Sequence, residues 1–449
     1  MGFSERNEMT TNSSPAQPGP MGRIRSALTL ADLWTPRGLE HQTCCFCGSP
    51  LQQTFLDLGS MPLANTYAPS QEAARQQPKY PLHTKVCSHC LLVQHDTNLD
   101  SRDIFSEYGY FSSYSKAWLN QARSYVQMAC ERFHLGPKSQ VVEIASNDGY
   151  LLQYFMPLGI PVLGVDPAQN VAEAAERIGV PTYVRFFGVE TALELRARDL
   201  QADLIIANNV LAHVPDINDV IAGIKILLKE TGVFTAEFPH LLRLIQEVQF
   251  DTIYHEHFFY FSLLSIDHIL KRHMLRVFDV EELPSHGGSL RIFVCHDDQT
   301  AYPEDARLLR VCEAEKQAGL DRLESYSGHA AEVLGIKTAL LQFLSDARQQ
   351  HKRVAAFGAA AKGSTLLNFC GIDETMIDYV ADEIPYKIGK YLPGSCLPIV
   401  APEAIRATRP DFILILAWNH KEEIMNKLSY IREWGGKFVI ALPKLQILD

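Results

Sequence analysis

The sequence predicts a multidomain α/β protein with two Rossmann-like units and a small metal-binding module before them. Three observations lead to this fold class. Apolar strand segments alternate with helical segments in two separate stretches, four cysteines occur as two Cys-x-x-Cys pairs, and 449 residues suffice for two or three domains. We expect a disordered tail over residues 1–39, the metal-binding module over 40–98, a central domain over 99–300 and a C-terminal domain over 301–449.

Composition and charge exclude several classes of partner. The net charge is −11, and the sequence shows no concentrated basic stripe of the kind that binds nucleic acid. No apolar run approaches the roughly 20 residues of a membrane-spanning helix, and the start of the chain has no apolar signal core. We therefore expect a cytoplasmic monomer or homodimer that binds neither nucleic acid nor a membrane.

The paired cysteines predict a structural zinc site. Its expected ligands are Cys44, Cys47, Cys87 and Cys90. Four thiolates suit tetrahedral Zn²⁺, and a closed four-cysteine site leaves no coordination position open for chemistry. A redox dithiol is the alternative, but it would need only one pair. Cys45 is expected beside the site rather than as a ligand. Because the module has little apolar sequence of its own, the metal should supply much of its folding free energy.

The stretch from residue 140 to 170 predicts the first βαβ unit. An apolar strand ends at Ile144, the turn Ala145–Gly149 follows, helical spacing runs from Tyr150 to Leu158, and a second strand ends at Asp166. In such a unit a ligand binds at the carboxyl ends of the strands, and the second acid accepts hydrogen bonds from a ribose.

Two ligand classes fit this unit, a dinucleotide and S-adenosylmethionine (SAM). A dinucleotide turn needs G-x-G-x-x-G so that backbone amides reach a pyrophosphate, but this turn reads A-S-N-D-G and its acid would repel a pyrophosphate. Acidic groups suit a cofactor that carries a sulfonium and an ammonium group, so SAM is favoured. The alternative is a Rossmann-like unit that binds no cofactor. The expected cofactor-binding residues are Glu143, Asn147, Asp148, Gly149, Asp166 and Asn208.

The rest of the central domain continues the alternation. A helix is predicted from Trp118 to Phe133, and strands at 202–207 and 232–238. His213 lies just beyond the first of these strands, where an open α/β sheet binds its ligands. A lone histidine is as readily structural as functional, so both interpretations stay open at this point.

The densest chemical cluster lies at residues 249–261. Tyr254, His255, Glu256 and His257 are contiguous there and are flanked by aromatic residues. The spacing is not H-E-x-x-H, so a catalytic zinc is not expected. An imidazole beside a phenol and a carboxylate suits general-base chemistry, with the carboxylate fixing the tautomer.

A second α/β unit follows a charged helical connector at 303–350. It comprises a strand at 353–357, a small-residue turn, a helix at 364–369 and a strand at 376–380 that leads to Asp382. The start of this helix could hold a phosphate, and the lysines at 362, 387 and 390 favour an anionic ligand. A purely structural Rossmann-like domain is the alternative.

In this order, the motifs resemble those of one family. They are the four-cysteine module, E-I-A-S-N-D-G, G-V-D-P-A-x-N-V-A, N-N-V-L-A-H-V-P-D, Y-H-E-H-F, H-G-G-S-L-R, G-A-A-A-K-G-S-T-L-L-N and K-I-G-K-Y-L-P-G. The co-linear set covers residues 40–449. It resembles the zinc-containing, SAM-dependent C-methyltransferases that act on nucleotide-linked keto-deoxysugars. The chain departs from them at Ala145, where they often have glycine, and at His255, where they often have aspartate.

The resemblance implies a fold, a reaction and a set of site residues. The fold is a zinc module, a central class I methyltransferase domain and a C-terminal Rossmann-like domain that helps to hold the nucleotide. In the reaction a 4-keto sugar loses the proton at C3, and the enolate attacks the sulfonium methyl group. His257 would be the general base, and Glu256 and Tyr254 would orient it or contact the sugar. His213 and Tyr108 would line the same pocket and stabilise the enolate oxygen. The expected substrate-binding residues are Gly358, Lys362, Ser364, Lys387, Lys390, Asn419 and His286.

Two other functions stay open. The methyl group could go to an oxygen or nitrogen of another small molecule, in which case no hydrogen next to a ketone exchanges with solvent. Alternatively, the chain could be a non-catalytic binding protein with a structural zinc. The acid-rich turn and the Y-H-E-H cluster argue against a protein that has lost its activity.

Overall fold

The computed structural model describes residues 43–96 and 111–449, apart from the side chains of Lys116 and Ala117. The expected tail at 1–39 and Tyr108 lie outside these residues. The strands are β1 Gln53–Met61, β2 Tyr80–Val86, β3 Val93–His95, β4 Val141–Ile144, β5 Val162–Val165, β6 Thr182–Tyr183, β7 Ala202–Asn208, β8 Leu228–Pro239, β9 Phe259–Tyr260, β10 Leu275–Leu283, β11 Ser289–His296, β12 Val354–Phe357, β13 Val380–Ala381, β14 Ile399–Val400, β15 Phe412–Ile415, β16 Lys437–Ile440 and β17 Gln446–Leu448.

The helices connect these strands. The α-helices are α1 Gln71–Arg75, α2 Lys116–Phe133, α3 Gln169–Arg177, α4 Val189–Arg196, α5 Ile217–Leu227, α6 Leu241–Gln246, α7 Leu263–Arg272, α8 Ala306–Gln317, α9 His329–Gln349, α10 Ala361–Cys370, α11 Glu403–Thr408 and α12 Lys421–Lys427. Short 3₁₀ helices lie at Ser112–Tyr114, Leu152–Tyr154, Met156–Leu158, Leu211–His213, Phe250–Thr252, Ser285–Gly287, Leu323–Tyr326, Trp418–His420 and Ser429–Trp434. Within the described ranges, no helix has the length and apolar character needed to cross a membrane.

The central sheet has seven strands in the order β10-β11-β8-β7-β4-β5-β6. Strand β4 pairs in parallel with β5 on one side and with β7 on the other, while β11 is antiparallel to both of its neighbours. The strand order therefore reverses between β4 and β7. Ligands of open α/β sheets bind at such a switch point, beyond the carboxyl ends of the strands.

The C-terminal sheet repeats this plan. Its order is β14-β13-β12-β15-β16-β17, with β12 parallel to both β13 and β15 and β17 antiparallel to β16. All four residues of β12 are buried, as expected of a parallel strand that is covered on both faces. The predicted α/β class with two Rossmann-like sheets is confirmed.

The cysteine-bearing part of the chain forms a third, antiparallel sheet in the order β1-β2-β3-β9. Strand β9 comes from the middle of the chain and pairs with β3 through Val93 and Tyr260. A two-residue strand has no periodicity, so this pairing could not be predicted from local pattern. It attaches the segment that follows the Y-H-E-H cluster directly to the zinc module.

The apolar residues of the zinc module join the cores of its neighbours. Phe55 and Leu82 belong to the cluster that contains the strands of the C-terminal sheet. Phe46 and Leu51 belong to the cluster beneath the central sheet. The module is therefore held by packing against the rest of the chain as well as by its cysteines.

Two predicted elements differ from the structure. Residues 150–158 form two 3₁₀ helices rather than an α-helix. Pro157 lacks a backbone N–H, and Gly159 ends the segment with a positive φ of 70°. The strand predicted at 376–380 shrinks to β13, because the amides of Met376 and Ile377 close a turn onto the carbonyl of Asp373.

Candidate active site and zinc centre

The four predicted zinc ligands come together. The Sγ atoms of Cys44, Cys47, Cys87 and Cys90 all lie within 4.8 Å of one another. The distances are 3.6 Å between Cys44 and Cys90 and 3.5 Å between Cys47 and Cys87. A tetrahedral Zn²⁺ with Zn–S bonds of about 2.3 Å separates its sulfurs by about 3.8 Å. The cluster therefore fits zinc and leaves no thiolate for redox chemistry.

One asparagine of the central domain bonds to the cysteine-bearing turn of the zinc module. Asn218 of α5 donates from Nδ2 to the carbonyls of Cys45 and Phe46, over 3.1 and 3.0 Å. Its Oδ1 lies 2.9 Å from Nε2 of His273. The cysteine-bearing turn is thus held to helix α5 by hydrogen bonds to its backbone carbonyls, and to the central core by the burial of Phe46.

The predicted cofactor turn adopts a tight, left-handed path. Ala145, Asn147 and Gly149 have φ values of 53°, 51° and 77°. A side chain at Gly149 would meet Val180 at 3.0 Å, and the positive φ of this residue also favours glycine. Ala145 holds a left-handed conformation that favours glycine.

Asp166 holds this turn in place. One carboxylate oxygen accepts from the backbone N–H of Asn147 and the other from that of Ala168, both over 2.9 Å. The acid at the end of β5 thereby links the two strands on one side of the switch point. Each oxygen keeps a lone pair for a further donor.

Two carboxylate oxygens at the turn lack a hydrogen-bond partner in the part of the chain that the structure describes. Oε2 of Glu143 and Oδ1 of Asp148 are buried, and neither has a hydrogen-bond partner among the described residues. The other oxygen of Asp148 accepts from the N–H of Ser113 over 3.1 Å. Burial, together with the charges of Asp166 and Asp148, raises the pKa of Glu143. These two acceptor oxygens fit a ligand that carries cationic groups, as SAM does.

An aromatic wall continues from the turn. The rings of Trp118 and Tyr150 stack at 6.3 Å, and the ring of His286 meets Trp118 edge-on at 5.7 Å. Asn208 ends the neighbouring strand β7, and its buried Oδ1 lacks a hydrogen-bond partner in the described part of the chain. The predicted cofactor residues therefore lie around one switch point, with His286 at its border.

His257 is a neutral imidazole with a defined tautomer. Its Nδ1 lies 2.9 Å from the carbonyl of Thr252, which can only accept, so Nδ1 carries the proton. Its Nε2 then accepts from the Tyr254 hydroxyl over 2.7 Å. The His213 ring is 4.7 Å away, edge to face. Burial and the proximity of His213 hold the pKa of His257 well below its usual range. The ring is thus in the form that can take a proton.

Glu256 and His255, the other members of the cluster, make contacts that differ from those predicted. The carboxylate of Glu256 accepts from Asn65 Nδ2 over 2.7 Å, and burial raises its pKa to about 7. The expectation that a carboxylate fixes the tautomer is wrong, because the Thr252 carbonyl does so. His255 turns the other way: its Nε2 lies 3.2 Å from the Tyr80 carbonyl and its ring stacks on His95.

The start of α10 faces the protein interior. Lys362 is buried, donates from Nζ to the carbonyl of His286 over 2.8 Å, and lies 4.7 Å from the Trp418 ring. The hydroxyl of Ser364 donates to the carbonyl of Ala64 over 3.1 Å. Lys362 and Ser364 therefore already bond to protein carbonyls, because their helix packs against neighbouring loops, as the bond from Thr365 to the carbonyl of Ile253 also shows. Their predicted contacts with the substrate stay a prediction.

The other predicted substrate residues lie at the second switch point. Gly358 has a φ of 95°, and a side chain there would meet Ala417. Lys387 donates from Nζ to the carbonyl of Ala359 over 2.7 Å and is 3.8 Å from Asp382. Asp382 also accepts from the N–H of Ala359, as Asp166 does at the first turn. Lys390 lies 3.4 Å from the Tyr386 ring, and Asn419 is partly buried in the 3₁₀ helix after β15.

Three residues at the site escaped the sequence analysis. They are Asn65, Thr252 and Trp418. Asn65 lies in a short loop and Thr252 acts through its backbone carbonyl, so neither carries a local signal. Trp418 donates to the buried Asp251 over 2.7 Å, and the A-W-N-H motif at the end of β15 could have drawn attention to it.

The fold and the site together define a class of protein. A seven-stranded sheet with this order, an acid-rich turn at its switch point and an acid at the end of the next strand define a class I SAM-dependent methyltransferase, here joined to a four-thiolate zinc centre.

Comparison with known proteins gives the family. Residues 44–105 match a zinc binding domain, 118–279 a methyltransferase domain and 284–443 the C-methyltransferase C-terminal domain. C-methyltransferase NovU of Streptomyces niveus is 34% identical over 408 residues, which cover 90% of this chain and 96% of that protein. The chain therefore belongs to the zinc-containing, SAM-dependent C-methyltransferases, and the family predicted from the sequence is confirmed.

More distant similarities cover smaller shares of the chain. A ubiquinone biosynthesis O-methyltransferase of Rhodopseudomonas palustris strain BisA53 is 28% identical over 113 residues, or 23% of this chain and 44% of that protein. The crystal structure of magnesium protoporphyrin IX methyltransferase from Synechocystis PCC 6803 with bound SAH is 13% identical, with a TM-score of 0.31 over 40% of this chain and 83% of that one.

Proposed function

We propose that this C-methyltransferase acts on a nucleotide-linked 4-keto-deoxysugar in deoxysugar biosynthesis. The observation that carries the proposal is the neutral His257, whose Nδ1 is protonated and whose Nε2 is an acceptor. A carbon next to a ketone is acidic enough for a positioned imidazole to deprotonate. Methylation of oxygen or nitrogen would not need a base that removes a carbon-bound hydrogen.

His257 would start the reaction by taking the proton from C3 of the sugar. The two electrons of the C–H bond form the C3–C4 double bond, and the negative charge develops on the ketone oxygen. Nε2 receives the proton either directly, once the substrate displaces the Tyr254 hydroxyl, or through that hydroxyl. When bound, SAM supplies the methyl group that ends on C3.

The residues beside His257 would stabilise the negative charge on the ketone oxygen and bind the sugar. His213 is near enough to His257 to face the same oxygen, and donors at that position stabilise a developing oxyanion. We propose the same role for Tyr108, which lies outside the described residues. Glu256 would accept from a sugar hydroxyl.

The cofactor and the nucleotide would occupy the two switch points. Asp166 would accept from the ribose hydroxyls of SAM, and Glu143 and Asp148 would receive its cationic groups. Lys387, Lys390, Gly358 and Asn419 would hold the nucleotide, while Lys362, Ser364 and His286 would border the sugar. The domain boundaries given above, a cytoplasmic location and a monomer or homodimer are part of the same proposal. Cytoplasmic thiols stay reduced, as a four-thiolate zinc site requires.

The direct test is an assay of the purified protein with SAM and a nucleotide-linked 4-keto-deoxysugar. We expect the product to carry one extra methyl group on C3, located by NMR. In deuterated water the C3 hydrogen should exchange even without SAM. A methyl group on oxygen or nitrogen, with no exchange next to the ketone, would favour a different substrate class, and failure to bind SAM would favour a non-catalytic protein.

Replacing Asp166 with asparagine should weaken SAM binding about tenfold or more, because a hydrogen bond to a charged group is worth about 1.5–3 kcal/mol. The substitution also removes an acceptor for the turn amides. Isothermal titration calorimetry measures the change, with the exposed Asp199→Asn as control. An unchanged dissociation constant in a folded Asp166→Asn protein would contradict the ribose contact.

A further inference from the structure

The loop at residues 62–67 of the zinc module reaches both larger domains. Asn65 donates from Nδ2 to Oε1 of Glu256 in the Y-H-E-H cluster over 2.7 Å. Two residues later, the Tyr67 hydroxyl donates to the carbonyl of Ala359, in the turn after β12, over 2.8 Å. The loop therefore connects the proposed base region with the proposed nucleotide region.

Tyr67 also orients the Asn65 amide. The Tyr67 hydroxyl lies 3.2 Å from Oδ1 of Asn65 and shares its proton between that oxygen and the Ala359 carbonyl. With its oxygen facing Tyr67, the amide presents its NH₂ group to Glu256. The group that reaches the Glu256 carboxylate is thus an N–H donor whose orientation is set by Tyr67.

Glu256 needs such a donor. Its side chain is buried, with 5% exposure, and an ionised carboxylate in that environment is costly without hydrogen bonds. Burial raises the pKa of Glu256 to about 7, and the bond from Asn65 opposes that rise. Asn65 itself is exposed, so it can be changed without disturbing a core.

We propose that Asn65 is a positioning residue for the Glu256 carboxylate, so that the zinc module contributes directly to turnover. The inference rests on the proposed function, in which Glu256 contacts the sugar. The ring of His213 bonds to the backbone of Glu256, and Tyr254 and His257 are the titratable neighbours of Glu256 within the Y-H-E-H cluster. The zinc centre therefore acts on catalysis by holding the strands that carry the Asn65 loop.

The test uses the full-length, zinc-loaded enzyme with Asn65→Ala and Asn65→Asp. The matched control is Thr66→Ala, whose lost hydroxyl bonds to the carbonyl of Leu63 within the loop. Loss of a bond to a charged group should lower kcat about tenfold in Asn65→Ala, with SAM affinity and zinc content unchanged. The acid limb of the pH–rate profile should move to higher pH, because removing the donor raises the carboxyl pKa. Asn65→Asp should move it further, since two carboxylates then repel.

The inference is overturned if both variants show the rate and pH profile of Thr66→Ala. A second readout needs no sugar: the pH midpoint of the Glu256 carboxyl band in infrared difference spectra, identified by its absence in Glu256→Gln. A midpoint at higher pH in Asn65→Ala supports the inference, and an unchanged midpoint contradicts it. If the wild-type enzyme methylates no nucleotide sugar, the proposed function fails while this spectroscopic result still decides the role of Asn65.

Discussion

Replacing His257 with glutamine is expected to lower the rate of methyl transfer about 10²–10⁴-fold, the usual contribution of a positioned acid or base. The reason is specific to this ring. Its Nδ1 proton is fixed by the Thr252 carbonyl, so Nε2 keeps a lone pair for the substrate proton. Glutamine fills the same space but cannot take a proton. SAM should bind the variant as it binds the wild type, as calorimetry can check.

The matched control is His255→Gln. His255 is also buried in the same cluster, but it bonds to the Tyr80 carbonyl and stacks on His95. We expect this variant to lose stability while each folded molecule keeps its turnover. Retained turnover in His257→Gln, or an equal loss of turnover in both variants, would defeat the assignment of the base.

The pH dependence separates His257 from Glu256. Burial holds the pKa of His257 well below about 6.5, the ordinary value for histidine, so the ring remains a base as the pH falls through that value. Burial raises the pKa of Glu256 to about 7. The first loss of kcat/KM on acidification should therefore follow Glu256, and Glu256→Gln should remove that limb from the profile.

Removing the zinc should abolish activity and unfold the module. Structural zinc contributes about 10–16 kcal/mol to the folding of small zinc domains, and here the domain also carries β3, which pairs with β9 just after the Y-H-E-H cluster. We expect Cys90→Ser to lose its zinc, to unfold at a much lower temperature and to lose methyl transfer. Metal analysis, thermal unfolding and the activity assay measure the three effects.

Cys45→Ser is the control for this experiment. Cys45 neighbours a ligand, but its Sγ is not a member of the four-sulfur cluster. This variant should keep its zinc, its unfolding temperature and its activity. A zinc-free Cys90→Ser protein with full activity would show that the centre serves neither folding nor the active site.

Much of the fold followed from local pattern. Strand β7 holds four consecutive buried apolar residues at 204–207, because a parallel strand is covered on both faces. The Cys-x-x-Cys spacing predicted the zinc site, because two residues between ligands allow both thiolates to reach one ion. The acid-rich turn and the role of Asp166 were predicted from one short stretch, residues 140–170. The helix predicted at 150–158 failed where Pro157 interrupts the hydrogen bonds of an α-helix.

The active site depended more on packing between distant segments. The sequence placed four titratable residues side by side in the Y-H-E-H cluster, but it could not say that His255 and His257 face opposite ways. The packing of this loop against β3 on one side and His213 on the other decided that. Likewise, Lys362 looked like a phosphate ligand because a small-residue turn precedes it, yet α10 docks that turn into the protein interior.

The sequence by itself determined the kinds of chemistry available: four thiolates for one metal ion, carboxylates at a turn after a buried strand, and imidazoles beside a phenol. These are properties of residue type and short spacing. Only the tertiary structure decided which imidazole can take a proton and which residue supports Glu256. Asn65 and Glu256 are 191 positions apart, and contact over that separation depends on how the zinc module packs against the central sheet.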